Sequence, residues 1–130
     1  MYTFTRDERL KSRTIISRLF REGHSYVAYP VRVVWLPVEL PDAAAGVRAQ
    51  MTVSVPKRVF KTAVSRNRLK RLIREAYRLH KHELYAKLAP LDQYLALMLV
   101  YIPKEELPFA AVEEGIKKMI RKFPAAQPDK

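Results

Sequence analysis

The stretch Ser65-Arg66-Asn67-Arg68-Leu69-Lys70-Arg71-Leu72-Ile73-Arg74-Glu75-Ala76-Tyr77-Arg78-Leu79-His80-Lys81-His82-Glu83-Leu84-Tyr85-Ala86-Lys87-Leu88 puts two chemically different faces on one helix of 3.6 residues per turn. Leu69, Leu72, Ile73, Ala76, Tyr77, Leu84 and Leu88 fall on one side, as a helix packed on a sheet requires. Asn67, Lys70, Arg71, Arg74, Arg78 and Lys81 fall on the other. Ser65 can serve as the N-cap, and Pro90 lies just past the end.

Strand signals flank this helix. Before it, Val47-Arg48-Ala49-Gln50-Met51-Thr52-Val53-Ser54-Val55 alternates apolar and polar residues until Pro56, the pattern of a half-exposed strand. After it, the apolar run within Leu91 to Ile102 predicts a strand buried on both faces. Further upstream, Val31-Arg32-Val33-Val34-Trp35-Leu36 is rich in β-branched and aromatic residues and stops at Pro37. The loop Pro41 to Gly46 joins it to the next strand, and so short a connection predicts an antiparallel pair.

The chain begins and ends with helices. Ser12 to Glu22 has Ser12 as cap and Ile15, Ile16, Leu19 and Phe20 at helical spacing, with Gly23 expected to close it in a left-handed turn. Thr5 with Glu8 has the form of a capping box, which would start the helix earlier. Pro108 opens the last helix, where Phe109, Val112, Ile116, Met119, Ile120 and Phe123 form one apolar stripe. The order α-β-β-α-β-α predicts an α+β fold, a two-layer α/β sandwich with a small mixed sheet covered by helices.

A chain of 130 residues reads as one domain, 1–123, followed by a tail from Pro124 to Lys130 whose proline and alanine content predicts flexibility. It has no cysteine, which excludes disulfides, thiolate metal sites and thiol catalysis. The N-terminus has no signal-like apolar stretch, and the most apolar run, Tyr94 to Ile102, is far shorter than the ~20 residues of a membrane helix. A soluble, cytoplasmic protein is expected. The three histidines, His24, His80 and His82, do not make a zinc-binding pattern, and the scattered carboxylates lack the grouping of a two-metal nuclease. Hydrolysis by the protein itself is therefore not expected.

Charge carries the functional signal. The formal net charge is +12, and Lys57 to Lys87 alone holds eleven basic residues against Glu75 and Glu83. Arg71, Arg74 and Arg78 neighbour one another at helical spacings of three and four, where like charges repel by a few tenths of a kcal/mol per pair. Phosphates turn that repulsion into attraction and release counterions. Arginine suits the task, since its planar fork grips two phosphate oxygens or stacks on a base. The helix start adds free N–H groups and a favourable dipole, flanked by Arg66 and Arg68.

The run Arg66-Asn67-Arg68-Leu69-Lys70-Arg71-Leu72-Ile73-Arg74-Glu75-Ala76-Tyr77-Arg78 resembles the arginine-asparagine-arginine signature of the bacterial ribonuclease P protein family. Its approach, Val53-Ser54-Val55-Pro56-Lys57-Arg58 and Ala63-Val64-Ser65, is similar too, as are Arg9-Leu10-Lys11 and Phe20-Arg21-Glu22-Gly23 near the start. Ile16 stands where family members often carry phenylalanine, and Lys61 near where many carry glycine.

The resemblance implies a ribosomal protein S5 domain 2-like sandwich with a left-handed βαβ crossover. It implies a non-catalytic subunit of an endoribonuclease, paired one to one with a catalytic RNA that hydrolyses precursor tRNA with bound Mg²⁺ and removes the 5′ leader. No metal is expected on the protein alone. Arg66, Asn67, Arg68, Lys70, Arg71, Arg74 and Arg78 would face the catalytic RNA. Ile16, Phe20, Arg32, Val34, Lys57 and Arg58 are candidates for the leader, with Tyr29 and Trp35 further possibilities; Phe20 can equally be core, and a Trp in a strand such as Trp35 is core more often than not.

Three other readings compete. A structural RNA-binding protein of ribosomal type shares the composition but not the signature run. A DNA-binding regulator would need a second helix just before the basic one, and none is predicted. A membrane-surface protein would need the apolar helix face that the sheet already claims. Neither DNA nor membrane is expected as a partner.

Overall fold

The computed structural model describes residues 4–40 and 46–123. Within them lie α1 (Arg13–Glu22), β1 (His24–Ala28), β2 (Val31–Val38), β3 (Ala49–Ser54), α2 (Ala63–Leu88), β4 (Tyr94–Tyr101) and α3 (Phe109–Lys122), with short 3-10 turns at Arg6–Glu8 and Ala89–Leu91. The fold is the expected α+β sandwich with a mixed sheet.

The sheet order is β1-β2-β4-β3. β1 and β2 form an antiparallel hairpin, β2 runs antiparallel to β4, and β3 runs parallel to β4 through the α2 crossover. This corrects two expectations. The strand His24–Ala28 was not foreseen, because its five residues mix His, Ser and Tyr with apolar ones and show no clean period. The strands before and after the 41–46 loop do not pair; β4 lies between them. The most apolar strand takes the sheet centre, where Leu95 to Leu99 are buried on both faces.

Alternation divides the sheet. Val31, Val33 and Trp35 of β2, Ala49, Met51 and Val53 of β3, and Leu95, Leu97, Leu99 and Tyr101 of β4 share one core with the apolar faces of α2 and α3. Trp35 packs between His24 at 4.7 Å and Phe123 at 5.1 Å. Buried aromatics of this kind each remove roughly 150–250 Å² from water. The opposite face of β2 and β4 supports a smaller cluster, Leu36, Ala96 and Met98 with Leu10 and Leu19. α1 covers it, so helices lie on both faces of the sheet, the larger layer being α2 and α3.

The termini of the helices follow local chemistry with three departures. Ser12 Oγ accepts from the Ile15 N–H at 3.2 Å, as expected for an N-cap. Gly23, however, is extended, with φ −65° and ψ 147°. A β-carbon there would lie 2.4 Å from the Leu19 carbonyl oxygen and 2.8 Å from Val34 Cγ1, so the glycine is needed for close approach, not for a left-handed turn. The Thr5–Glu8 capping box is present but closes its own 3-10 turn, separate from α1. α2 starts two residues before Ser65, and Thr62 caps it, its Oγ1 accepting from the Ser65 N–H at 3.2 Å. The tail 124–130 and most of the 41–46 loop lie outside the described residues. Among the described residues, no helix is long and apolar enough to cross a membrane.

Candidate nucleic-acid interface

One side of α2 is committed to the core. Leu69, Ile73, Ala76, Tyr77, Leu84 and Leu88 are buried and Leu72 is half-buried, as the periodicity predicts. The other side carries the cations, but they are not equivalent. Asn67, Arg71 and Arg74 are exposed and Lys70 is half-exposed, and no ion pair engages these four among the described residues. Arg66 turns back to donate to the Phe60 carbonyl oxygen at 2.8 Å. Arg68 pairs with Glu106 at 3.1 Å, and Arg78 with Glu75 at 2.5 Å. That last pair holds the exposed Glu75 carboxyl below its ordinary value.

Two lysines of the basic stretch leave the surface. Lys81, expected on the cationic face, is buried and paired with Glu8, which also accepts from the Tyr85 hydroxyl at 2.5 Å. Its helical position lies at the edge of the core face, and a carboxylate 73 residues away in sequence draws it inward. Lys87 donates to the carbonyls of Ile120 at 2.5 Å and Arg121 at 3.1 Å, and to that of Phe123, closing the C-terminus of α3.

Of the leader candidates, Ile16, Phe20, Arg32 and Val34 lie on α1 or on the α1 side of the sheet. Ile16 and Val34 are half-buried against the smaller cluster. Phe20, at 75% exposure, is not core. Arg32 is exposed on β2 in register with Val27 of β1 and Val100 of β4, and Val100 is in register with Ser54 of β3. Thr52 and Ser54 are half-exposed on this face, since α1 lies over β2 and β4. The alternation of β3 already marked these two polar positions, although they were not singled out. Lys57 and Arg58 are exposed just after β3, and Tyr29 is exposed in the β1–β2 turn. Trp35 points to the other face and is 2% exposed, which removes it as an RNA contact.

Two surface grooves, of about 440 and 490 Å³, lie at the far end of this face around Pro37, Val38 and Glu39, and neither includes a candidate residue. Among the described residues, no group of three or more metal-ligating side chains comes together. His80 instead meets Glu113 at 2.8 Å, tying α2 to α3, and His82 is exposed.

Comparison with known proteins identifies the family and the fold. The family described as Ribonuclease P matches residues 4–124. Ribonuclease P protein components of two Porphyromonas gingivalis strains are each 38% identical over 119 residues, covering 92% of this chain and 85% of the relative. The fold is shared with the RNase P protein of Thermotoga maritima, with a TM-score of 0.68, 21% identity and coverage of 89% of this chain and 97% of that one. It is also shared with the Staphylococcus aureus protein, with a TM-score of 0.67, 20% identity and coverage of 88% and 93%. A match over nearly the whole length, on a chain whose basic helix faces outward from a committed core, means that this protein belongs to the ribonuclease P protein family.

Proposed function

We propose that the chain is the non-catalytic protein subunit of a ribonuclease P ribonucleoprotein, binding a catalytic RNA through α2 and the 5′ leader of precursor tRNA across the α1 side of the sheet. The observation that carries the proposal is the row of Lys70, Arg71 and Arg74, which meet no carboxylate among the described residues, on a helix whose opposite side is locked in the core. Such a helix presents fixed positive charge without reorganising, so the gain from phosphate neutralisation is not spent on ordering the chain. Arg66 and Arg68 are held by protein partners, which fixes their positions at the helix start beside Asn67.

On the α1 side, exposed Phe20 offers a ring for a base, at ~1–3 kcal/mol per stacked base, while Arg32, Lys57 and Arg58 provide the charge that follows a single strand. Ile16 and Val34 supply apolar floor beside Phe20, and Ser54 and Thr52 supply hydroxyls. Mg²⁺ would supply its charge at the scissile phosphate within the RNA. The α2 surface does not fit that ion, because its exposed side chains are mostly cationic nitrogen donors and its Glu75 carboxylate is paired with Arg78, whereas Mg²⁺ takes several oxygen ligands. The protein's contribution in this reading is binding and orientation.

Reconstitution tests the proposal. The protein is added to a transcribed bacterial ribonuclease P RNA at low Mg²⁺, and cleavage of a precursor tRNA is followed. Strong stimulation that disappears on replacing Arg71, Arg74 and Arg78 with Ala is expected. General RNA binding without stimulation would refute the processing role.

A further inference from the structure

Residues 4–10 form a strap along the flank of α2. Phe4 meets Tyr77 edge-on, with ring centroids 5.9 Å apart. Glu8 anchors the strap from inside: it is buried, pairs with Lys81, and accepts from the Tyr85 hydroxyl at 2.5 Å and the Thr5 N–H at 2.8 Å. On the other side Leu10 N–H donates to the Met51 carbonyl oxygen at 3.1 Å, and Arg9 bridges Met51 in parallel fashion. The backbone around Arg9 is therefore held by β3 and by α2 together.

This anchoring brings Arg9 to the flank of α2 that carries Arg74. The Arg9 guanidinium stands 5.7 Å from the centre of the Phe4 ring, which itself rests on Tyr77, and Arg74 lies one helical turn before Tyr77. Both arginines are exposed, and neither meets a carboxylate among the described residues. Burial, and then the charge of Arg9, push the Arg74 guanidinium below its ordinary value. The buried Glu8–Lys81 pair thus sets Arg9 along the same flank of α2 as Arg74, from a segment more than sixty residues away.

We propose that Arg9 and Arg74 form a two-element clamp for one backbone phosphate of the catalytic RNA, with Glu8 as the positioning residue that holds the strap. Each guanidinium can present two N–H groups to a phosphate, and an anion between them converts their repulsion into attraction. The clamp rests on the RNA-binding reading above and extends the docking surface from α2 onto the N-terminal segment.

The test is equilibrium binding of a transcribed bacterial ribonuclease P RNA, and separately of a precursor tRNA, by Arg9→Ala, Arg74→Ala and the double variant over a range of salt. For the catalytic RNA, each single change is expected to weaken binding about fivefold to tenfold and to lower the slope of log affinity against log salt by about one. The double variant is expected to lose little more than either single one, because one phosphate is shared. Fully additive losses, an unchanged slope, or losses confined to precursor tRNA would overturn the clamp. Arg71→Ala separates the two levels. If it weakens binding while Arg9→Ala does not, the clamp fails and the RNA-binding reading stands; if no variant changes binding, both fail. Melting by circular dichroism checks the fold. Should Arg9→Ala melt early, Arg9→Lys combined with Arg74→Ala reads the same coupling with the strap's charge kept.

Discussion

Glu8 and Gly115 show how single residues govern this molecule. Burial by itself would raise the Glu8 carboxyl, but hydrogen bonds from Lys81, the Thr5 N–H and Tyr85, with the Lys81 charge, outweigh it and hold the group below its ordinary value. A carboxyl depressed in the fold contributes stability above the unfolded value and loses it as pH falls through the folded one. Glu8→Gln leaves Lys81 buried without its counter-charge and is expected to cost about 3 kcal/mol at neutral pH. Because that contribution is lost only as pH falls below the ordinary value of 4.5 towards the lower folded one, the stability of the variant in urea unfolding should fall less steeply than the parent's on that acid limb; an equally steep limb would refute the assignment. Gly115 admits α3 against the β1–β2 turn: a β-carbon would lie 2.3 Å from Pro30 Cδ and 2.7 Å from the Tyr29 carbonyl oxygen. Gly115→Ala is therefore expected to destabilise by about 1–3 kcal/mol, read as a lower melting temperature, despite alanine's better helix propensity.

At the scale of the element, α2 is both a wall of the core and the proposed docking helix. Replacing Arg71, Arg74 and Arg78 together with Ala is expected to leave the melting temperature within a few degrees of the parent, since none of the three side chains is buried. The same variant should lower the salt slope of RNA affinity by about two to three. Taken singly, Arg78→Ala should cost less than Arg71→Ala, because Glu75 already shares the Arg78 guanidinium at 2.5 Å. A larger effect at Arg78 would mean that the Glu75 pair opens on binding. The two faces of α2 were legible in its sequence because helical period and burial are local properties. Its cap was not: Thr62 and Ser65 are both good caps, and only the path of residues 56–62 selects the first. Nor was Lys81, whose partner arrives from the far end of the chain.

Over the whole molecule, the α1 side of the sheet is the surface where sequence and fold must cooperate. Phe20→Ala is expected to weaken binding of leader-containing precursor tRNA by the reconstituted complex about tenfold, within the range of one stacked base, with little effect on mature tRNA. Equal losses on both substrates would remove Phe20 from the leader. The melting temperature should barely change, as the ring is 75% exposed. Its exposure was not readable beforehand, because Phe20 follows Leu19 in the same apolar pattern and either could have faced the sheet. Trp35 and Val34 likewise are adjacent on one strand, and only the stacking of α2 and α3 on one side assigns Trp35 to the core and Val34 to the candidate surface.

Local periodicity, capping chemistry and charge were enough to establish the three helices, the three apolar strands, the cationic side of α2 and the likeness to the ribonuclease P proteins. Tertiary structure alone placed β4 between β2 and β3, added β1 to the edge, and withdrew Lys81 and Lys87 from the basic surface. It alone laid the strap of residues 4–10 against α2. The division has a physical cause: a helix or strand pattern records which side of a segment avoids water, whereas partners distant in the chain meet only after every such side has been buried at once.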